Sequence, residues 1–297
     1  MLVLVWVVLS ASKGVYVGHL VQDLDSNLLL VGCMAIAVVF FNGTQLADRT
    51  AYKRVLADNF VDILWLNLFT AAAWASYFAS LRFLEAAVEE SFVVAVDPLA
   101  TLILARAMRQ GSPVLRSEAA ASWAMLVVAT LLGIGVWYGE SSVGAIGTAD
   151  AAFAIGCVLV CGIANGGITV VSKRLADRKV TASQVMASRF YMVLVGCLGY
   201  VLIRGEHLGA LVDHAGGVLV IAGLGMILPM YVLQKGIERA EPMTVVLVGS
   251  TLPVVAFAVQ QFDSRLTFSW LSFGGVTAIF IIVIAGTYRR LRTGETT

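Results

Sequence analysis

Ten apolar stretches, each near the length an α-helix needs to cross a bilayer, follow one another along 297 residues with only short polar gaps between them. They run near 2–20, 27–46, 59–81, 86–105, 122–139, 150–171, 183–203, 215–234, 242–262 and 268–288, numbered here as spans one to ten. Such a chain has no soluble option. A water-facing surface needs about a quarter of its residues charged, and this sequence has 13% charged against 59% hydrophobic, with a mean hydropathy of +0.89. The gaps are too short for an extramembrane catalytic domain, so any chemistry belongs to the helices and their ends.

Charge sorts the gaps into two classes. Fifteen of the twenty Lys and Arg residues follow the even-numbered spans: Arg49, Lys53 and Arg54; Arg106, Arg109 and Arg116; Lys173, Arg174, Arg178 and Lys179; Lys235 and Arg239; and Arg289, Arg290 and Arg292. The other gaps hold Arg82, Arg204 and Arg265 among acids such as Asp23, Asp25, Glu140, Asp150, Glu206 and Asp213. The positive-inside rule then predicts both termini on the cytoplasmic side. Ser10-Ala11-Ser12 has the small residues of a signal-peptidase site, but no basic region precedes it, and the first span is expected to stay. A net charge of +1 offers nothing to nucleic acid. Cys33, Cys157, Cys161 and Cys197 lie in apolar runs without metal-ligand spacing and read as small packing residues, so neither metal nor cofactor is expected.

The two halves repeat. Setting residue n against n+153 lays Ser10 to Val17 over Ile163 to Val170, so that a polar stripe of Ser12, Tyr16 and His19 matches Asn165, Thr169 and Ser172. Each stripe is spaced i, i+4, i+7, along one helical face. Near n+156, Ser80-Leu81 with Glu85-Ala86 lies over Gly236-Ile237 with Glu241-Pro242, and Pro98 meets Pro253 at n+155. Five spans per repeat is an odd number, so residues 1–144 and 145–297 would cross the membrane with opposite polarity. Inverted repeats of this kind recur in secondary transporters, whose halves rock about a shared site.

Several segments carry a resemblance to a known family: Leu126 to Gly139 as a glycine-interrupted fifth span, Ala75 to Ala86 at the third turn, Asp97-Pro98-Leu99, Gly236 to Pro242, and Pro253-Val254. With these the chain resembles the EamA-type transporters of the drug/metabolite transporter superfamily. The resemblance covers nearly the whole chain. It implies an all-α membrane protein with ten transmembrane helices in two inverted five-helix repeats, around a central cavity lined mainly by spans one, three, four, six, eight and nine. The family contains exporters of amino acids and other metabolites, and related branches carry nucleotide sugars or organic phosphates.

Charges at bilayer depth cost roughly 2.5–3.5 kcal/mol each on insertion scales, so each needs a partner or a wet cavity. Lys13 and Asp97 lie ~17 and ~16 Å along their spans at 1.5 Å per residue, which places both near midplane. They read either as a charge pair in a transport cavity or as a structural ion pair. Glu90, Asp97 and Thr101 share a face of span four, with Asp97 the first candidate for proton or cation coupling and Glu90 the second; Glu89 and Glu90 read equally as carboxylates solvating the outer end of that helix. Pro98 and Pro253 are candidate hinges. Ser12, Tyr16, Asn165 and Thr169 would form the polar lining, and Trp74 and Tyr77, at i, i+3, an aromatic wall. Arg189 is expected to snorkel to the headgroups, with an anion-binding role as the rival, and His19 to sit at the outer interface.

The expected function is that of a secondary active transporter exporting a small polar or amphipathic, amino-acid-like metabolite by alternating access with proton coupling, in a bacterial inner membrane. A nucleotide-sugar or organic-phosphate antiporter is the alternative, and a noncatalytic scaffold or lipid-translocating protein is a third reading. The expected partners are a small-molecule substrate, membrane lipid and a possible second copy of the chain. No Walker A sequence, HExxH or Gly-x-Ser-x-Gly occurs, so neither an ATP-driven pump nor an enzyme is expected.

Overall fold

The computed structural model describes residues 2–108, 116–239 and 249–293. Helix makes up 83% of it, and no strand occurs among the described residues. In chain order the helices are α1 (Leu2–Asp23), α2 (Ser26–Thr44), α3 (Arg49–Asp58), α4 (Phe60–Ser80), α5 (Ala86–Ala107), α6 (Arg116–Trp137), α7 (Thr148–Asp177), α8 (Ala182–Ser188), α9 (Tyr191–Arg204), α10 (Ala210–Asp213) and α11 (Ala215–Val220). A π-helical stretch (Ile221–Ile227), α12 (Leu228–Arg239), α13 (Leu252–Gln260) and α14 (Trp270–Thr293) complete the bundle.

Among the described residues, seven helical stretches are long and apolar enough to cross a membrane: Leu4–Asp23, Ser26–Thr44, Phe60–Ser80, Ala119–Trp137, Thr148–Asp177, Ala182–Arg204 and Ala215–Gly236. The protein is therefore an all-α, multi-pass membrane protein. Of the remaining expected spans, α5 is as long as these but carries Glu89, Glu90, Asp97 and Arg106, and Trp270–Ala285 is apolar but shorter. Arg109, Glu241, Pro242 and the first part of span nine, 242–248, lie outside the described residues.

Local chemistry sets several helix ends. The Asp25 carboxylate accepts from the amides of Asn27 and Leu28 at 2.8 and 3.2 Å and starts α2. Thr181 and Gln184 form a reciprocal capping box at the start of α8. Gly205, at φ +70°, stops α9 in the left-handed conformation that glycine adopts without penalty.

Contacts between turns keep to one side of the bundle. On one side Gln22 donates to the Arg82 carbonyl, Arg265 to the Gly18 carbonyl, and Thr267 to the Ser142 carbonyl. On the other, Thr44 and Gln45 bond Ser183, and Arg174 and Arg178 pair with Asp62. These are the two classes of gap that charge distinguishes in the sequence. Asp62 also explains why α7 runs past the expected end at residue 171: the extra turns deliver the two arginines to a buried carboxylate at the start of α4.

Two helices carry the interior. α7 wedges between α4 and α5, and its small residues permit the close approach: a Cβ on Gly166 would stand 2.8 Å from Ala100 Cβ and from the Thr101 amide, and one on Gly167 would stand 2.6 Å from the Phe69 ring. This is how membrane helices associate without a hydrophobic drive between them. α1 packs mainly against α13, α12 and the π-helical stretch, and approaches α5 at Gly14 and Ala86.

Candidate functional site

The first turn of α5 lies under a roof. Glu85, at the helix's N-cap, is buried beneath the 140–147 and 263–270 loops: Gln260 on α13 donates to one carboxylate oxygen at 3.0 Å and Ser272 on α14 to the other. The Gln260 carbonyl oxygen accepts the Ala87 amide, so one side chain ties the end of α13 to the start of α5. Because this end of α5 does not reach the surface, Glu89 and Glu90, one turn further, are 0% and 5% exposed. The expectation that they solvate a helix end is corrected accordingly.

Lys13 completes the cluster. Its stem packs on Gly225 of the π-helical stretch, where a Cβ would stand 2.8 Å from Lys13 Cγ. Its ammonium lies 4.2 Å from the Tyr77 ring centroid and 4.8 Å from that of Trp74, and interacts electrostatically with Glu90 and Glu89. Tyr77 donates its hydroxyl to Glu90 Oε1 at 3.4 Å. Among the described residues the Glu89 oxygens meet no donor at hydrogen-bond geometry, although the Cys161 thiol of α7 faces them. Asn165, one turn along α7, donates to the Cys161 carbonyl and sulfur at 3.1 and 3.4 Å. One ammonium, two carboxylates, a phenol and an indole thus cluster between α1, α4, α5 and α7.

A crevice of about 150 Å³ opens above this cluster on the Arg265 side, bordered by Gly14, Gly18, Gln22, Arg82, Glu85 and Arg265. Gly14 and Ala86 are its floor and the cluster's ceiling: a Cβ on Gly14 would stand 2.8 Å from the Tyr77 hydroxyl and 4.0 Å from Glu90 Oε1. At the rim Arg265 clasps Asp263, holding that carboxyl below its ordinary range.

Other expected site residues fall elsewhere. Asp97 is not the partner of Lys13: it accepts a 2.9 Å hydrogen bond from Thr101 on its own helix. The reason is axial distance, since Asp97 is seven residues, ~10 Å, along α5 from Glu90, and the Lys13 ammonium lies with Glu90 and Glu89. Pro98 sits inside an unbroken α5. Pro253 is not in a helix interior but in the first turn of α13, where its missing N–H is no loss; the break precedes it, at Ser250–Thr251. Ser12 and Thr169 are half-buried, and Tyr16 is exposed beside α11, its hydroxyl near Gly217.

Arg189 does not snorkel. It is 2% exposed, in the break between α8 and α9, where Nε donates to Thr70 Oγ1 at 3.3 Å and Nη1 approaches Met186 Sδ at 3.9 Å. Sequence reasoning also missed Glu89 as a member of the cluster and the π-helical stretch opposite Lys13. Only the adjacent acids at 89–90 gave a signal, and the π turn gave none.

Neither known families nor curated proteins match the sequence. The fold does have a precedent. A crystal structure of another protein aligns with a TM-score of 0.66 over 99% of this chain and 96% of its own, at 17% identity. That likeness is one of fold alone.

Proposed function

We propose that this chain is a secondary active transporter of the EamA type, built from two inverted five-helix repeats. It exports a small polar or amphipathic, amino-acid-like metabolite by alternating access with proton coupling, from a bacterial cytoplasm that holds both termini. The observation that carries the reading is the cluster of Lys13, Glu89, Glu90, Tyr77 and Trp74 inside the bundle, beneath a crevice open to one side. Ionisable groups at bilayer depth mark substrate and proton pathways, and two carboxylates beside one ammonium can exchange a proton each time the cluster meets water.

Packing supports the repeat. If span one corresponds to six, three to eight and four to nine, exchanging the halves should convert the neighbours of α1 into those of α7. α1 lies against spans eight and nine, and α7 against spans three and four. Spans two and seven touch each other, as do four and nine, and five and ten, as pairs related by a twofold exchange would. The Arg265 side, poor in basic residues, is then the external face, and the crevice faces outward.

Proteoliposomes loaded with an amino-acid pool and given a pH jump test the function. Native protein accumulates substrate with proton flux, and Glu90→Gln retains exchange but loses accumulation. Asp97→Asn stays close to native, because among the described residues its carboxylate bonds Thr101 of its own helix. Accumulation that survives Glu90→Gln but fails in Asp97→Asn would reverse the assignment, and a native protein that moves nothing from the pool would remove the amino-acid class.

A further inference from the structure

Arg189 is a buried guanidinium with no anion. Nη2 has no hydrogen-bond partner, and no carboxylate pairs with the residue among the described residues. A buried charge is tolerated when paired and is strongly unfavourable when not. The chain around it is built to hold it. The helix breaks at Arg189 and Phe190, and one side chain from α4 splints the break: Asn67 donates to the Ser188 carbonyl at 2.6 Å and accepts the Tyr191 and Met192 amides at 3.1 and 3.2 Å. Discontinuous helices of this kind bring backbone ends and charges to binding sites in transporters.

The location matters as much. Thr70, Trp74 and Tyr77 are spaced i, i+4, i+7 and share one face of α4. Arg189 bonds the first, and Lys13 lies over the other two. Two cations are therefore strung along one helix face, about 6–10 Å apart at 1.5 Å per residue. The upper one already faces Glu89 and Glu90; the lower one faces none. Phe190, 5.4 Å from the guanidinium, stacks on Phe41, and Phe41 adjoins Tyr231, which gives the lower position an apolar flank.

We propose that Arg189 binds the carboxylate of a small amphipathic ligand, and, resting on the transporter reading, that this is the lower station of the cargo's path. A carboxylate fits better than a phosphate. Nε and one Nη1 proton are already engaged, which leaves Nη2 as the unpartnered group, whereas a divalent phosphate calls for several donors or a second cation, and Lys13 is one to two turns away with anions of its own.

Thermal unfolding of the protein in nanodiscs, with propionate, propionamide or inorganic phosphate, separates the outcomes. Native protein is expected to be stabilised by propionate and not by its amide. Arg189→Gln should need at least about tenfold more propionate for the same shift, as expected for a lost charged hydrogen bond, and should unfold at or above the native temperature without ligand. Arg189→Lys, which keeps the charge without the fork, should fall between them and serves if the Gln variant does not fold. A propionate response unchanged in Arg189→Gln overturns the proposal. So does a native protein with no carboxylate-specific response, or an Arg189-dependent response to phosphate alone. Because binding needs no flux, Arg189-dependent stabilisation in a protein that moves nothing would sink the transporter reading and leave this one standing; full flux in Arg189→Gln would sink this one alone.

Discussion

Placing a methyl group at residue 166 tests the contact that sets the interior. In Gly166→Ala the new Cβ would meet Ala100 Cβ and the Thr101 amide, both at 2.8 Å, with the Ala100 carbonyl carbon at 3.1 Å. Two of these are backbone atoms, so no rotamer change relieves the clash; α5 and α7 must part by several tenths of an ångström. Overpacking of this sort costs about 1–3 kcal/mol, offset by roughly 1 kcal/mol from replacing glycine in a helix. Gly196 in α9 has nothing within 4 Å of its Cβ position, so Gly196→Ala receives the helical gain without the clash. The two variants should therefore differ by about 1–3 kcal/mol, or some 2–6 °C in unfolding midpoint. Fluorescence-detected thermal unfolding in one detergent measures it. If Gly166→Ala unfolds with or above Gly196→Ala, α5 and α7 are not in backbone contact, and the positions of Glu89, Glu90 and Cys161 across that interface lose their basis.

Removing the Asp62 carboxylate in Asp62→Asn should lower stability by about 1–2 kcal/mol, since Arg178 at 2.8 Å and Arg174 at 3.3 Å both lose their anion. Arg178→Gln in that background should cost little more, and equal losses from both changes in either order would deny the coupling. Asp263 is held below its ordinary value of 3.8 by Arg265, so its contribution is complete above that value and is lost as pH falls through the lowered one. Asp263→Asn should flatten the stability profile below about pH 4, and an unchanged acid limb would refute the pairing. With the native cysteines replaced, Leu266→Cys at the crevice and Ser183→Cys at the opposite end should react with a membrane-impermeant thiol reagent from opposite faces of oriented vesicles. Labelling of both from one face would contradict the proposed crossing pattern.

The multi-pass character was legible because hydrophobic length alone identifies a membrane helix, with seven such helices among the described residues against ten expected spans, and the segregation of Lys and Arg anticipated which turns meet. Lys13 stood out as a charge within an apolar helix for the same reason, and Trp74 and Tyr77 as a pair. What occupies the pair was not legible, because the partner of Lys13 depends on where α1 leans across the bundle. Glu89 was misjudged through the assumption that a helix's first residue marks the membrane surface. Its burial comes from Glu85, Gln260 and Ser272, contacts made across more than 170 residues of sequence. Arg189 failed for a related reason. Depth counted at 1.5 Å per residue presumes an unbroken helix, and the break at 189–190 is held by Asn67, more than 120 residues earlier. Pro253 looked like a kink because span nine was read as continuous.

The exchange of first helices has a consequence for how the molecule is made. Among the described residues α1 finds most of its neighbours in 221–239 and 252–260, and α7 finds its own in residues 60–107. A chain cut between 144 and 145 would yield two fragments, each carrying the helix the other lacks. Neither has a complete interior, so α1 must wait in the bilayer, weakly partnered, until spans eight and nine have been synthesised and inserted. The sequence halves are therefore not units of assembly, and co-produced fragments should accumulate only together.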